Sequence, residues 1–243
     1  MKHWCPTWAQ TIIAELPAAR RRLGAGLLML VLLPLSVLAE EQVRVNETSD
    51  FVPLSEGRPY LHVIHEGRSV KVQRVQDPDY ALKGYFAKTV RKCPPFCIQP
   101  FKLAPGVETI GELQILEYLK RSAEGDDTVL IIDSRAPSWI RRGTITGAIN
   151  LHYKQLSLRS AESAQIARIL ENRFGARRAD RLWDFSHAKT LVLFCNGAWC
   201  GQSPINIRNL MRFGYPPSKI KWYRGGMQAW ETLGLTTVTT ASD

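Results

Sequence analysis

Residues 191–204 read Leu191-Val-Leu-Phe-Cys195-Asn-Gly-Ala-Trp-Cys200-Gly-Gln-Ser203-Pro204, and this stretch decides the fold. The continuous apolar run before Cys195 predicts a buried central strand of a parallel sheet. Ser203 is a favourable N-cap and Pro204 suits the first position of a helix, so a helix is predicted to begin there. A cysteine that faces a helix N-terminus from the end of a strand lies in a field that favours the thiolate. The stretch therefore predicts a sulfur nucleophile at Cys195, and a buried structural cysteine is the alternative.

Strands and helices alternate on both sides of this stretch. The apolar run 128–132 predicts a buried strand that leads to Asp133 and Arg135, and residues 220–223 predict another strand. Such alternation predicts a doubly wound parallel α/β sheet with helices on both faces. Sites in these folds lie at the carboxyl ends of strands, where Asp133, Arg135 and Cys195 all fall.

Several residues also mark the predicted helix starts. Thr109-Ile-Gly-Glu112 has the pattern of a capping box, and Ser160 suits the cap of a helix that ends near Gly175. Gly225 and Gly226 precede the last predicted helix. The helices and strands together occupy most of the chain after residue 107.

The first 39 residues have the pattern of an export signal. A basic segment that ends in Arg20-Arg21-Arg22 precedes an uncharged apolar run, and a small-residue cleavage site follows at Ala39. We expect residues 1–39 to be a signal peptide and the protein to be exported to the periplasm or another extracytoplasmic compartment. If the segment stays uncleaved, it is the only expected contact with a membrane. Residues 40–107 are predicted to form a small irregular N-terminal extension, and residues 108–238 to form the main domain.

The charge pattern limits the expected partners. The formal net charge is +10, and loss of four basic residues and one acidic residue with the signal leaves +7. These basic residues are scattered and no nucleic-acid-binding motif accompanies them, so no nucleic-acid partner is predicted. A basic surface of this kind helps to attract small anions.

Three separated motifs resemble the rhodanese-like domain of sulfurtransferases. Ile131-Ile-Asp-Ser-Arg135 is similar to the family's first strand with its Asp-x-Arg, and Gly225-Gly-Met-Gln-Ala-Trp230 is similar to its terminal Gly-Gly-x-x-x-Trp. Residues 143–150, Gly-Thr-Ile-Thr-Gly-Ala-Ile-Asn, resemble its Gly-His-Ile-x-Gly-Ala signature, with Thr144 in place of the usual histidine. The cysteine loop lies between the motif at residues 143–150 and the motif at residues 225–230. The resemblance covers about residues 108–236.

The resemblance implies a sulfurtransferase that works through a persulfide on Cys195. A small sulfur-containing anion such as thiosulfate would be the donor, and a thiol or a protein would be the acceptor, with no cofactor and no metal. Asp133 and Arg135 would brace the site rather than react. The substrate-binding cradle would be the loop residues Asn196, Gly197, Ala198, Trp199, Cys200, Gly201 and Gln202.

The cysteine loop also departs from the family pattern. It is longer than in typical single-domain sulfurtransferases, and it carries no arginine or lysine. The phosphate-binding arginine of the phosphatases and arsenate reductases in this family has no counterpart here, which argues against their chemistry. Cys200 is either a resolving thiol for Cys195 or a small residue that fills the loop.

A second cysteine pair lies in Cys93-Pro-Pro-Phe-Cys97 of the extension. The two prolines restrict the backbone, which favours a local structural disulfide. A redox or sulfur-relay partner for Cys195 and a four-cysteine metal site are the alternatives. Two rival functions also stay open: a rhodanese-like binding module without catalysis, and a periplasmic thiol-disulfide redox protein that uses Cys195 and Cys200.

Overall fold

The computed structural model describes residues 51–91, 98–180 and 182–239. The helices are α1 (Glu112–Ala123), α2 (Pro137–Ile140), α3 (Ser163–Asn172), α4 (Gln202–Arg212) and α5 (Gly226–Thr232). The first strands are β1 (Leu61–His65), β2 (Arg68–Val72), β3 (Glu108–Ile110), β4 (Val129–Asp133), β5 (Thr144–Ile145) and β6 (Ile149–Asn150). The later strands are β7 (Arg177–Ala179), β8 (Leu182–Asp184), β9 (Thr190–Phe194), β10 (Ile220–Tyr223) and β11 (Thr237–Val238).

The central sheet has five parallel strands in the order β3-β10-β9-β4-β6. Phe194 at the end of β9 pairs with Tyr223 on one side and with Asp133 on the other. The carboxyl ends of three neighbouring strands therefore meet at one edge, immediately before Cys195. Among the described residues, the remaining strands pair antiparallel as β1 with β2, β5 with β11, and β7 with β8.

Strand β9 is apolar at every position after Thr190 because helices cover both faces of the sheet. Val192 and Phe194 pack in one hydrophobic cluster with side chains of α1 and α5. Leu191 and Leu193 pack in a second cluster with side chains of α3 and α4. Successive strand residues point to opposite faces, so a central strand with two covered faces needs an unbroken apolar run.

The N-terminal extension is more regular than expected. Strands β1 and β2 form a hairpin whose Val63 and Val72 are buried in the same cluster as Leu119 of α1. Gly147 makes this approach possible, because a Cβ atom at this position would lie 2.4 Å from Cγ1 of Val63. The Gly147 amide also donates a hydrogen bond of 3.0 Å to Nδ1 of His65. The hairpin therefore shares a core with the main sheet.

The predicted start of the helix after the cysteine loop is wrong. Helix α4 begins at Gln202 with Gly201 as its N-cap, so Pro204 is the third helical residue rather than the first. Ser203 does not cap the helix, because its hydroxyl donates to the sulfur of Cys195.

Two other predicted caps are also wrong. Thr109 belongs to β3, where it pairs with Trp222, and Gly111 caps α1 instead. Ser160 lies before α3, whose N-cap is Glu162. Thr109 pairs with a neighbouring strand, and this tertiary contact overrides the local pattern that predicted a helix cap.

Candidate functional site

Cys195 directly follows the central strand β9 and is almost fully buried, with 2% of its surface exposed. The Ser203 hydroxyl donates a hydrogen bond of 3.1 Å to its Sγ. The backbone oxygen of Cys195 accepts a hydrogen bond of 3.0 Å from the amide of Met227 in α5. The strand end, α4 and α5 together fix the position of this sulfur.

The pKa of Cys195 is the outcome of two opposed effects. Burial raises it, because a thiolate is poorly solvated in the protein interior. Hydrogen bonds from the Cys200 and Ser203 side chains and from the Ser203 and Gly197 amides lower it. The hydrogen bonds prevail, and the pKa falls to about 7. A substantial part of Cys195 is therefore thiolate at neutral pH, although no charged side chain lies in the loop.

Ser203 is itself oriented by a second hydrogen bond. The indole Nε1 of Trp222, which only donates, lies 3.2 Å from the Ser203 oxygen. The Ser203 proton is therefore free to point at Cys195, and both residues are buried. Sequence reasoning missed this contact, because nothing in the sequence links a strand residue at 222 to a helix residue at 203.

Cys200 lies in the same loop, and both cysteines are free thiols. Burial and the adjacent Cys195 raise the pKa of Cys200, so its proton stays on sulfur. When Cys195 is protonated, its thiol donates to the Cys200 backbone oxygen at 3.4 Å. The pair thus places one thiolate next to one protonated thiol.

The other predicted cradle residues serve mainly to shape the loop. The Asn196 backbone oxygen accepts a hydrogen bond of 3.0 Å from the amide of Gln228, and the Trp199 indole donates to the Gln228 side chain at 2.6 Å. Gly226 permits this close approach of α5, since a Cβ atom there would lie 2.2 Å from the Cys195 oxygen. Among the predicted cradle residues, Gly197 donates a hydrogen bond from its backbone amide to the Cys195 sulfur.

The remaining cradle residues have different partners. Ala198 accepts a hydrogen bond of 2.8 Å from the Gln99 amide, so the N-terminal extension reaches the loop. Gly201 caps α4, and the side-chain oxygen of Gln202 lies 3.8 Å from Cys200 Sγ.

Asp133 and Arg135 form a fully buried ion pair, with 2.6 Å between Arg135 Nη2 and an Asp133 oxygen. Arg135 Nη1 donates to the side-chain oxygen of Asn196 at 3.2 Å, which ties the pair to the cysteine loop. The Thr144 hydroxyl donates to Asp133 at 2.7 Å. Thr144, which stands where the family usually has histidine, therefore supports the carboxylate. The Asn150 side chain completes the network with hydrogen bonds of 2.9 Å to the backbone oxygens of residues 133 and 135.

An aromatic cluster from the extension lies against the loop. The Tyr85 ring packs edge-on against Trp139 of α2 at 4.6 Å and tilted against Trp199 at 5.8 Å between centroids. The Arg91 guanidinium lies 4.7 Å from the centre of the Trp199 ring. Sequence reasoning gave no role to Tyr85 and Arg91, because their contacts are with residues far along the chain.

Some predicted features fall outside the described residues. Residues 1–39, Cys93 and Cys97 are among them, so the signal peptide and the second cysteine pair stay predictions. Within the described ranges, no group of three or more histidine, cysteine, aspartate or glutamate side chains is placed to hold a metal ion. Among the same residues, no helix combines the length and the hydropathy needed to cross a membrane.

Residues 116–233 match the family model described as the rhodanese-like domain. With five parallel strands and helices on both faces, the chain has a rhodanese-like fold, and the match supports membership of the rhodanese family. No curated protein is similar enough to the chain to count as a match.

Several solved structures are distantly similar. A protein of unknown function from Rhodopseudomonas palustris, described as a possible tyrosine phosphatase, is 20% identical over 54% of this chain and 85% of its own, with a TM-score of 0.36. A thiosulfate sulfurtransferase from Pseudomonas aeruginosa is 18% identical over 56% of this chain and 21% of its own, with a TM-score of 0.38. An As-Sb reductase from Leishmania major is 18% identical over 52% of this chain and 79% of its own, with a TM-score of 0.37. At these identities and TM-scores, the similarity gives no information about the activity of this chain.

Proposed function

We propose that this protein is a sulfurtransferase that carries a sulfane sulfur as a persulfide on Cys195. The observation that carries the proposal is the thiol of Cys195 at the end of the central strand, with its pKa lowered to about 7 by hydrogen bonds. The rhodanese-like domain gives independent support, because its family includes sulfurtransferases.

In the first step, the Cys195 thiolate attacks the outer sulfur of the donor. A new sulfur–sulfur bond forms to Cys195 while the bond within the donor breaks, and with thiosulfate the leaving group is sulfite. The Ser203 hydroxyl and the amides of Gly197 and Ser203 stabilise negative charge on the enzyme sulfur. Cys195 ends this step as an anionic persulfide.

In the second step, a nucleophilic acceptor attacks the outer sulfur of that persulfide. The sulfur–sulfur bond to Cys195 breaks and the enzyme sulfur leaves as a thiolate. A lowered thiol pKa makes Cys195 a better leaving group, so the same hydrogen bonds assist both steps. Asp133 and Arg135 hold the loop through Asn196 and take no part in bond making.

Thiol-disulfide exchange between Cys195 and Cys200 is the second candidate. The observation in its favour is that a protonated thiol lies next to a thiolate in the same loop. In that reaction the Cys195 thiolate would attack a substrate disulfide, and Cys200 would then displace the substrate thiol.

Mass spectrometry of the protein after brief thiosulfate treatment tests the proposal. We expect a gain of one sulfur atom in the wild type and in Cys200→Ser, and no gain in Cys195→Ser. Absence of the added sulfur in the wild type would contradict sulfur transfer from thiosulfate. Loss of two hydrogen atoms in the wild type alone, after treatment with a disulfide, would favour thiol-disulfide exchange.

A further inference from the structure

A cleft of about 620 Å³ lies between the N-terminal extension and the cysteine loop. Ala198 and Trp199 of the loop form one wall, and Val90, Arg91 and Ile98 of the extension contribute to another. Its volume is in the range of sites for organic ligands, and an inorganic anion the size of thiosulfate would leave most of it empty.

Arg224 brings a positive charge to this cleft from the sheet edge that carries Cys195. Arg224 lies in the turn directly after β10, one residue beyond Tyr223, which pairs with Phe194 of β9. Arg224 and Cys195 therefore each follow the last residue of a strand, on neighbouring strands at the same edge of the sheet. Its guanidinium is held by hydrogen bonds of 3.2 and 2.7 Å to the backbone oxygen of Gln99.

Arg91 adds a second guanidinium in the same cleft. It lies on the face of Trp199 and donates to the backbone oxygens of Tyr85 and Phe86 at 3.4 and 3.3 Å. Its Nε is buried without a hydrogen-bond partner among the described residues. A buried donor without a partner needs an acceptor from elsewhere.

Both arginines are held by carbonyl oxygens rather than carboxylates. The ion pairs between described residues involve other side chains, and none includes Arg91 or Arg224. Within the described part of the chain, no carboxylate pairs with either of these two positive charges, which lie beside the apolar side chains of Val90 and Ile98. Guanidinium groups bind planar carboxylates well, since two parallel hydrogen bonds can form.

We propose that this cleft binds the sulfur acceptor, and that the acceptor is a low-molecular-weight organic thiol with a carboxylate. This inference rests on the proposed function. The carboxylate binds Arg224 and Arg91, and the organic part packs on Trp199. The acceptor thiolate attacks the outer sulfur of the Cys195 persulfide, Cys195 leaves as a thiolate, and the acceptor departs as a persulfide. Arg224 and Arg91 supply the charge that the cysteine loop lacks.

Single-turnover transfer from the loaded persulfide tests this proposal with two matched acceptors. One is 3-mercaptopropionate and the other is 3-mercapto-1-propanol, which lacks the carboxylate. Because a hydrogen bond to a charged group is lost, we expect Arg224→Gln to raise the half-saturating concentration of 3-mercaptopropionate about tenfold. The alcohol is expected to react equally with both proteins, and Arg224→Lys to recover part of the effect. Arg168→Gln on the exposed side of α3 is the charge-matched control and should change neither acceptor.

Equal losses for both acceptors, or the same loss in Arg168→Gln, would overturn the acceptor site. Failure to load the persulfide would count against the proposed function instead. Calorimetric binding of the two thiols to Cys195→Ser then tests whether the cleft binds the carboxylate, because this variant cannot transfer sulfur. Tighter binding of 3-mercaptopropionate that is lost on adding Arg224→Gln supports the site, and equal binding of the two thiols refutes it.

Discussion

Replacement of Ser203 by alanine should weaken the nucleophile without removing it. The Ser203 hydroxyl donates to Cys195 Sγ at 3.1 Å in a site that is buried from solvent. A hydrogen bond to a charged group contributes about 1.5–3 kcal/mol. One pKa unit corresponds to about 1.4 kcal/mol, so Ser203→Ala should raise the pKa of Cys195 by about one to two units.

The consequence for the reaction follows from the sign of this shift. In the wild type the thiolate forms as pH rises through about 7, and the rate of persulfide loading should rise over the same range. In Ser203→Ala the midpoint should move to about pH 8–9. At pH 7 the thiolate fraction then falls from about one half to between about a tenth and a hundredth, and the loading rate falls with it.

Two measurements check this expectation. The ultraviolet absorbance of the thiolate, taken as the difference between each protein and the same protein with Cys195→Ser, gives the titration midpoint directly. The pH dependence of loading with thiosulfate gives it from the chemistry. Ser186→Ala is the matched control, because its hydroxyl bonds to Asp184 at the surface. An unchanged midpoint in a folded Ser203→Ala protein would refute the reasoning.

Three further predictions concern stability and the second thiol. Asp133→Asn leaves a buried guanidinium without its counter-charge and should lower the free energy of unfolding by about 3–5 kcal/mol in urea titrations. Glu108→Gln, which breaks an ion pair whose carboxylate is exposed to solvent, should cost less than about 1 kcal/mol, and similar losses for both would contradict this account. Gly226→Ala should cost about 3 kcal/mol or more because its Cβ would meet backbone, whereas Gly125→Ala, also at positive φ but with open space around it, should cost about 1–2 kcal/mol. Cys200→Ala removes a thiol donor and should slow persulfide loading at pH 7 without abolishing it, and an unchanged loading rate would contradict this supporting role.

Part of the site followed from local sequence. The apolar run before Cys195 specified a central strand, and a parallel sheet puts the carboxyl ends of its strands at one edge. Asp133 and Arg135 reached the same edge for the same reason. These features depend on patterns a few residues long, which a single sequence displays.

The structure alone supplied the contacts that lower the pKa of Cys195. Ser203 was predicted to cap a helix because that is what serine does next to a helix start. Only the packing of β10 beside β9 brings Trp222 to this hydroxyl and leaves its proton for the sulfur. Hydrogen-bond partners across a sheet and a helix are set by three-dimensional packing, so a local pattern could not identify them.

The sequence by itself predicted Cys195 as the candidate nucleophile and placed it at the carboxyl edge of the central sheet, where the structure has it. The tertiary structure decided which hydrogen bonds lower the pKa of that thiol and which distant segments pack against the cysteine loop. Arg91 and Trp199 come from segments more than a hundred residues apart, and the extension brings them within 4.7 Å of each other. Strand formation follows from short-range apolar periodicity, whereas a site built between distant segments exists only once their shared core has formed.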